Sequence, residues 1–393
     1  MPGYPLGELC LNINRVLLTG GRAPATLELA RLFSQQGYYV HVADSFPYAL
    51  CRVSKAIEAF HDVPAAKQRP QAFIDELVKI VVAEQIDLLI PTCEEIFTIA
   101  QFQDSFPASC TLLAERADRL LRVHHKFEFI EWAKRLGLLV PETYYIDSEE
   151  QWYNQLDDLP ANEKYIAKPV YTRSSSELIY LPMDREKPIN YKKGWVIQPL
   201  LQGDQYCTYS FARNGEVIAH TTYKSEFRVG AGATISFQHE RQEEIEQWVR
   251  EFVRKTNWTG QIAFDFICHS DGRCYPIECN PRLTSGIHLF RHTALVEKFV
   301  TGSGGILIPT SNRRVSLIGA MCIFAGQQVK QHGLRKYIQA LRDSEDAVFH
   351  RQDWCPFMYQ LNASYQFAKI AKRQRISVLE ATTADIVWDG ERQ

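Results

Sequence analysis

The chain has 393 residues, of which 46% are hydrophobic and 12% aromatic, so it is long enough for two or three domains with buried cores. Its net charge is −2, from 44 basic and 46 acidic residues, which indicates neither a nucleic-acid partner nor an anionic-membrane surface. No apolar run reaches the roughly 20 residues that span a bilayer, and residues 1–11 lack the pattern of a secretory signal, so we expect a cytoplasmic protein.

Residues 1–118 alternate short apolar segments with amphipathic ones. The apolar segments predict strands at 15–19, 38–43 and 87–91, and the amphipathic segments predict helices at 25–36, across 73–81 and from Glu94 onward. Such alternation is typical of a parallel sheet with helices on both faces, so we expect a Rossmann-like α/β domain.

Polar side chains follow the first and third of these strands. Because ligands of such sheets bind beyond the carboxyl ends of the strands, Arg22 and the pair Glu94 and Glu95 lie at the edge of an expected site. The turn at Gly20 and Gly21 lacks the G-x-G-x-x-G spacing, so it is weak evidence for a bound dinucleotide.

The rest of the chain mixes helices and strands. The pattern predicts a helix at 119–137, a strand at 143–146, strands with turns over 164–223, and a helix over 245–253; beyond residue 311 it predicts a strand at 315–324 and helices at 329–341 and 359–372. Lys168 ends an apolar strand, where a lysine needs an anionic partner to be buried.

A predicted hairpin gathers oxygen ligands. Two β-prone segments, 261–268 and 273–279, flank a turn with the sequence His-Ser-Asp-Gly. Folding this hairpin brings Asp265 near Glu278, and Asn280 points to the same side as Glu278 because it lies two residues further along the strand. Two carboxylates and an amide oxygen suit Mg²⁺, which takes its remaining ligands from water and phosphates.

The ten cysteines are scattered and include no C-x-x-C pair. Cys268, Cys274 and Cys279 cluster because they share the predicted hairpin. We therefore expect reduced core thiols in a cytosolic enzyme, and not a zinc site.

The arrangement of Asp265, Glu278, Asn280, Pro281 and Arg282 resembles the metal-binding strands of the ATP-grasp enzymes. The order of elements is similar across residues 1–310. The resemblance implies a pre-ATP-grasp domain at 1–118, a two-lobed α+β ATP-grasp fold at 119–310 with a lid lobe at 140–200, and an extension at 311–393 that packs on the ATP-grasp domain. It also implies ATP with Mg²⁺ or Mn²⁺ as cofactors.

The resemblance assigns further residues to ATP. Lys126 and Lys168 would bind phosphates, and a glycine-free loop at 171–176 would close over them. The segment 198–201 would bind adenine, and Gln205 would face the ribose. Lys224 is favoured over Arg228 as another phosphate ligand. The full ATP set is Lys126, Lys168, Ser174, Ser175, Gln198, Leu200, Leu201, Gln205 and Lys224.

The resemblance also implies roles in chemistry. Many peptide-forming relatives place an arginine where this chain has Ala263, which leaves Arg282 as the local cation for a developing oxyanion, with Lys168 as its catalytic partner. The candidate substrate residues are Arg22, Arg228, Arg282 and His288.

The implied reaction joins a small carboxylate, activated as an acyl phosphate, to an amine. Three alternatives stay open: bicarbonate phosphorylation, as in carboxylases and carbamoyl-phosphate synthases; a small-molecule kinase; and a non-catalytic nucleotide-binding protein. The sequence identifies neither substrate, and it leaves a homodimer open.

Overall fold

The computed structural model describes residues 13–160, 162–171, 177–181, 188, 190–229, 233–302, 304–310, 313–388 and 390. The strands are β1 (Arg15–Thr19), β2 (Tyr39–Asp44), β3 (Ala59–Asp62), β4 (Leu88–Ile90), β5 (Thr111–Leu112), β6 (Tyr144–Ile146), β7 (Tyr165–Pro169), β8 (Ile179–Leu181), β9 (Trp195–Pro199), β10 (Asp204–Arg213), β11 (Glu216–Lys224), β12 (Arg228–Val229), β13 (Ala233–Thr234), β14 (Ser236–Gln238), β15 (Gly260–Cys268), β16 (Cys274–Asn280), β17 (Arg314–Ser316) and β18 (Ser344–Asp346).

The α-helices are α1 (Pro24–Gln35), α2 (Pro70–Ala83), α3 (Glu95–Gln101), α4 (Ala117–His124), α5 (Lys126–Arg135), α6 (Glu149–Asp158), α7 (Glu243–Thr256), α8 (Leu295–Thr301), α9 (Ile318–Ile323), α10 (Ala325–His332), α11 (Leu334–Arg342), α12 (Cys355–Gln374) and α13 (Val378–Ala381). Short 3-10 helices lie at Leu50–Val53, Gln103–Ser105, Tyr191–Lys193 and Ser285–Phe290. Within the described ranges, no helix is long and apolar enough to cross a membrane.

The N-terminal part is a parallel sheet in the order β3-β2-β1-β4-β5. Strand β1 is buried on both faces, because Val16 and Leu18 join the core that includes α1 residues, whereas Leu17 joins the core that includes α2 residues. Burial on both faces explains the continuous apolar run in β1. The predicted α/β domain is therefore confirmed.

Two antiparallel sheets follow, which confirms the two-lobed α+β prediction. The first has the order β6-β9-β7-β8, and the second has the order β11-β10-β15-β16. Helix α7 covers one face of the second sheet, where Trp248 and Phe252 pack on Phe264 and Phe266. The opposite face carries Asp265 and is here named the carboxylate face.

The helix predicted at 119–137 is two helices. His125 between them is extended, with φ −74° and ψ 109°, and its imidazole accepts a hydrogen bond from the Glu128 N–H at 3.3 Å. This N-cap starts α5 at Lys126, so the lysine lies in the first turn of a helix, whose positive end favours an anion.

The C-terminal extension differs from its prediction in two elements. The strand expected at 315–324 ends at Ser316, and α9 follows it. The helix expected at 329–341 is α10 and α11, separated by Gly333 at φ +80°. Glycine tolerates that left-handed conformation, so the chain turns there although the apolar periodicity continues. The helical tail at 359–372 is confirmed as the longer α12.

The extension packs on both parts of the molecule, not only on the central domain as expected. Helices α9 to α11 join a core with Phe227 and Ile235. Helix α12 packs on the N-terminal domain, where the Phe367 ring stacks on Phe46 with ring centroids 4.1 Å apart. The second half of the extension therefore stabilises the parallel sheet.

We predict that Phe367→Ala lowers the free energy of unfolding by about 3–5 kcal/mol, because it removes a buried aromatic ring and leaves a cavity. The matched control on the same helix is Leu361→Ala, whose side chain is 73% exposed, and its expected effect is within about 0.5 kcal/mol. Urea unfolding monitored by circular dichroism measures both. Equal effects of the two substitutions would show that α12 does not pack as described.

Candidate active site

The hairpin of β15 and β16 forms as the spacing predicts. Asp265 lies directly opposite Glu278, and Ala263 lies opposite Asn280. Residues opposite each other in an antiparallel pair point to the same face, and so do residues two apart in one strand. The three predicted metal ligands therefore share the carboxylate face.

Burial sets the electrostatics of this pair. Asp265 is half-buried, and its pKa is raised above its usual range first by loss of hydration and then by the nearby Glu278 carboxylate. A hydrogen bond with Cys207 and the positive charges of Arg282 and Lys168 act in the opposite direction. Two adjacent carboxylates in a half-buried site are costly without a cation, so the donor set fits a divalent ion with hard oxygen ligands.

Lys168 reaches the carboxylates from the other antiparallel sheet. Its ammonium donates a hydrogen bond to the Ile277 carbonyl at 3.1 Å, and Ile277 is the neighbour of Glu278 in β16. Burial, and after it the nearby Lys126, lower the pKa of Lys168 to about 8, although Glu278 and Asp265 act in the opposite direction. The site therefore lies between the two sheets.

Lys126 provides a second buried cation. Only 4% of this residue is exposed, and its ammonium donates to the Val170 carbonyl at 3.4 Å. Two buried lysines that act on each other favour a bound anion between them. The site thus combines a pair of carboxylates with a pair of lysines, an arrangement of charges that fits a metal ion bound to phosphates.

Arg282 connects the candidate metal ligands to the N-terminal domain. Its guanidinium donates to the Asn280 side-chain oxygen at 3.1 Å and lies 3.6 Å from the Glu94 carboxylate. Glu94 is 1% exposed and directly precedes α3, after the carboxyl end of β4. This is the sheet edge that the sequence predicts. Glu95 instead accepts hydrogen bonds from the Thr19 hydroxyl and the Cys93 N–H, so its role is structural.

The C-terminal segment also reaches the site, which the sequence does not predict. The Glu94 carboxylate accepts a hydrogen bond from the Trp388 N–H at 3.0 Å. Trp388 is buried and packs near Phe97, with ring centroids 6.0 Å apart. Because 294 positions separate Glu94 from Trp388, no local pattern could have indicated this contact.

Two further residues near the site are not predicted from the sequence. His124 is buried, and burial lowers its pKa to about 4, within range of the charges of Glu94, Lys126, Glu278 and Arg282. It therefore stays neutral near pH 7. Its position two residues before Lys126 is the only sequence signal for it.

The second missed residue is Cys207. It lies opposite Asp265 in the β10–β15 pair, and burial raises the pKa of its thiol well above the usual range. The signal that could have found it is the two-residue spacing from Gln205, which puts both side chains on the carboxylate face.

The predicted adenine segment follows β9. Gln198 is buried, and its side-chain amide donates to the Thr143 hydroxyl at 2.8 Å, so that amide holds the strand in place. The Leu200 N–H donates to the Lys164 carbonyl at 2.8 Å, so, contrary to expectation, it is not a donor for a base. Leu201 and the side chain of Leu200 are half-buried at the end of the strand.

The prediction for Lys224 is wrong. Lys224 pairs with Tyr206, on the face that α7 covers, and its ammonium lies 2.6 Å from the Asp204 carboxylate. The strand period of two excludes it from the carboxylate face. Arg228, the alternative cation, donates a hydrogen bond to the side chain of Gln205 and so lies at the site.

Two candidate substrate residues are structural. The Arg22 guanidinium is buried and bonds to Asp44 at 3.0 Å and to Asp385 at 2.8 Å, which fastens the C-terminal segment to the N-terminal sheet. His288 is 1% exposed, and its ring lies 3.2 Å from the Glu28 carboxylate. Both side chains are held by protein carboxylates, so the predictions of substrate contact are wrong.

Two other expectations concern the cysteines at the end of the β15–β16 hairpin and the loop at 171–176. Cys268 and Cys274 are joined by a disulfide, so the expectation of reduced thiols is wrong for this pair. They face each other across β15 and β16, where two cysteines are close enough to bond. Ser174 and Ser175 lie outside the described residues.

Comparisons with known proteins agree with this geometry. No curated protein matches the chain by sequence. Among solved structures, N5-carboxyaminoimidazole synthetase from Staphylococcus aureus is similar with a TM-score of 0.62 and 13% identity, over 82% of this chain and 89% of that one.

Two further structures are similar. The biotin carboxylase domain of the Hydrogenobacter thermophilus 2-oxoglutarate carboxylase has a TM-score of 0.59 and 11% identity, over 76% of this chain and 71% of that one. The L-amino acid ligase from Bacillus licheniformis has a TM-score of 0.51 and 14% identity, over 70% of this chain and 68% of that one. At these sequence identities, the similarity to the three solved structures shows the fold alone.

The sequence model of an ATP-grasp domain family matches residues 123–286, which contain both lysines and all three candidate metal ligands. The chain therefore contains an ATP-grasp domain.

Proposed function

We propose that this protein is an ATP-dependent ligase that activates a carboxylate as an acyl phosphate and couples it to an amine, with release of ADP and phosphate. The observation that carries the proposal is the buried contact zone between the two antiparallel sheets. There Lys168 reaches the strand of Glu278, and the charges of Asp265, Glu278, Lys126 and Lys168 act on one another.

The residues divide into a metal set and a nucleotide set. Asp265, Glu278 and Asn280 would hold Mg²⁺, or Mn²⁺ in its place, because their oxygens lie on one face. Lys126 and Lys168 would bind phosphates. The end of β9 with Leu201 would contact adenine, and Gln205 would face the ribose. When bound, Mg²⁺–ATP supplies the phosphoryl group that activates the carboxylate.

The protein contributes position and charge. Lys168 is protonated below about pH 8 and can neutralise phosphate charge in a site with little water. Asn280 orients the Arg282 guanidinium, and Glu94 lies beside it, so Arg282 can stabilise an oxyanion as it develops. The Cys207 thiol is buried and its pKa is raised, so it is not an activated nucleophile. Catalysis then needs no covalent bond to the protein.

The names of the similar structures support this class of reaction. One is an L-amino acid ligase, another is a carboxyaminoimidazole synthetase, and a third is a biotin carboxylase domain in complex with MgADP and bicarbonate. Of the predicted substrate residues, Arg228, which bonds to Gln205, and Arg282, which bonds to Asn280, are proposed to face the carboxylate. The identities of the carboxylate and the amine stay open.

A screen of phosphate release tests the proposed function. ATP and Mg²⁺ are incubated with amino acids, small carboxylates and bicarbonate, singly and in pairs with amines. We expect release that needs both a carboxylate and an amine and that is lost in Glu278→Gln, because that change removes a metal-binding charge and keeps the shape. Calorimetry should show weaker Mg²⁺-dependent ATP binding by the variant.

The screen also separates the alternatives. A stable phosphorylated product without any amine would identify a kinase. ATP binding without turnover on any pair would favour a non-catalytic nucleotide-binding protein. Unchanged Mg²⁺-dependent ATP binding in Glu278→Gln would contradict the metal assignment.

The charge of Lys168 predicts a pH dependence of ATP binding. Phosphate favours the protonated lysine, so above about pH 8 binding requires uptake of a proton, and affinity should fall by up to about tenfold per pH unit. Lys168→Arg should flatten this slope, because arginine keeps its charge. Lys168→Ala should weaken binding at pH 7 by about 1.5–3 kcal/mol.

Calorimetry between about pH 7 and about pH 9 measures this dependence, because these limits lie about one unit either side of the pKa of Lys168. Lys224→Arg is the matched control, because Lys224 lies on the opposite face and its replacement should leave the slope in place. A wild-type affinity that is constant across this range would rule out the contact of Lys168 with phosphate.

Arg282 is predicted to act in chemistry more than in nucleotide binding. A contact with a developing oxyanion strengthens as charge moves, so Arg282→Ala should lower kcat by about 10²–10³. Arg282→Lys should recover little, because an ammonium cannot hold two oxygens in the fixed geometry of a guanidinium. Steady-state kinetics on the pair found by the screen measures both. If only the KM for ATP rises, Arg282 is a nucleotide-binding or structural residue.

A further inference from the structure

Three metal-ligating side chains lie together at the outer edge of the parallel sheet. They are His41 in β2, His61 in the edge strand β3, and Glu84, which ends α2. The distance from His41 Nδ1 to His61 Nε2 is 3.2 Å, and the distance from His41 Nδ1 to Glu84 Oε2 is 3.9 Å. One donor atom from each side chain lies within 4.8 Å of the other two.

The strand register brings the two histidines together. His41 pairs with Ala59, and His61 lies two residues beyond Ala59 in the same strand. Both rings therefore point to one face of the sheet, where they stack with centroids 5.5 Å apart and planes 16° apart. His41 is buried, whereas His61 is half-buried and the Glu84 side chain is 36% exposed, so solvent reaches the cluster from one side.

We propose that His41, His61 and Glu84 bind one divalent transition-metal ion of the Zn²⁺ type, with water as the fourth ligand. Tetrahedral zinc with bonds of 2.0–2.1 Å places its ligand atoms about 3.3 Å apart. The two imidazole nitrogens already have this spacing. Glu84 lies at a helix end with a partly exposed side chain, and its carboxylate is 3.9 Å from His41 Nδ1, so it would have to move closer to complete the site. Two imidazoles with one carboxylate favour zinc over magnesium.

The charges around the cluster support a bound cation. Burial is the main cause that lowers the pKa of both histidines, which keeps them neutral near pH 7, the form that binds metal. The carboxylates that act on the rings besides Glu84 are Glu58, Asp62 and Glu76. Arg15 is the opposing cation on His41, and its guanidinium donates to the Glu84 carbonyl at 3.3 Å.

This site is separate from the ATP-grasp site. Glu84 precedes β4, at the amino end of that strand, whereas Glu94 follows β4 at its carboxyl end. His41 and His61 lie in β2 and β3, the two strands on the outer side of β1. A metal ion here would connect the edge strand β3 to the end of α2, and it would stabilise the outer edge of the sheet without contacting ATP. The proposal therefore does not depend on the proposed ligase activity.

Titration of the full-length protein with Zn²⁺ and Co²⁺ tests the site, after removal of metals with a chelator and in excess Mg²⁺ to occupy the carboxylate pair. We expect one equivalent bound, visible-region Co²⁺ absorption typical of tetrahedral coordination, and a higher Tm with Zn²⁺. His61→Ala and Glu84→Gln should each weaken binding by at least about 100-fold, which is the largest loss expected on removing a residue that only hydrogen-bonds to a metal ligand.

Two controls should retain wild-type affinity. They are His269→Ala, which removes an exposed histidine beside Asp271, and Glu278→Gln, which changes the other carboxylate cluster. Circular dichroism confirms that each variant folds. The proposal is overturned if the wild type binds no Zn²⁺, or if His61→Ala binds it as tightly as the wild type. Either result would leave the two histidines as an ordinary hydrogen-bonded pair.

Discussion

The pairing of Asp265 with Glu278 across one hairpin is the constraint on which the site depends. Side by side and half-buried, the two carboxylates repel each other and lose part of their hydration, and the loss of hydration raises the pKa of Asp265. Lys168, from the other antiparallel sheet, places a positive charge near these carboxylates. Its ammonium loses hydration there, which is the main reason that its pKa is lowered to about 8. Each group is thus unfavourable alone, and together they favour a ligand that carries both a cation and phosphates.

Arg282 connects this charge cluster to the rest of the molecule. It bonds to Asn280 in the hairpin and lies beside Glu94 of the N-terminal domain, and Glu94 in turn accepts the Trp388 N–H. The C-terminal segment is further fixed by Asp385, which bonds to Arg22. Three distant parts of the chain therefore meet around Arg282 and Glu94.

The wrong predictions have physical causes that can be named. Lys224 has the right residue type near the site, but strand alternation turns it to the face of Tyr206. Arg22 follows a strand end as a ligand-binding residue would, yet two protein carboxylates saturate it. His288 is likewise held by Glu28. In each case a polar residue near a site was satisfied by the protein itself, which a local pattern does not reveal.

The sequence by itself determined the features that rest on neighbouring residues. Apolar periodicity determined the parallel sheet and the long helix α12, and turn chemistry with strand alternation determined that Asp265, Glu278 and Asn280 share a face. Only the tertiary structure decided that Lys168 crosses between sheets to Ile277 and that Trp388 reaches Glu94. Those contacts join residues far apart in the chain, and their formation depends on how whole elements pack, which no short stretch of sequence encodes.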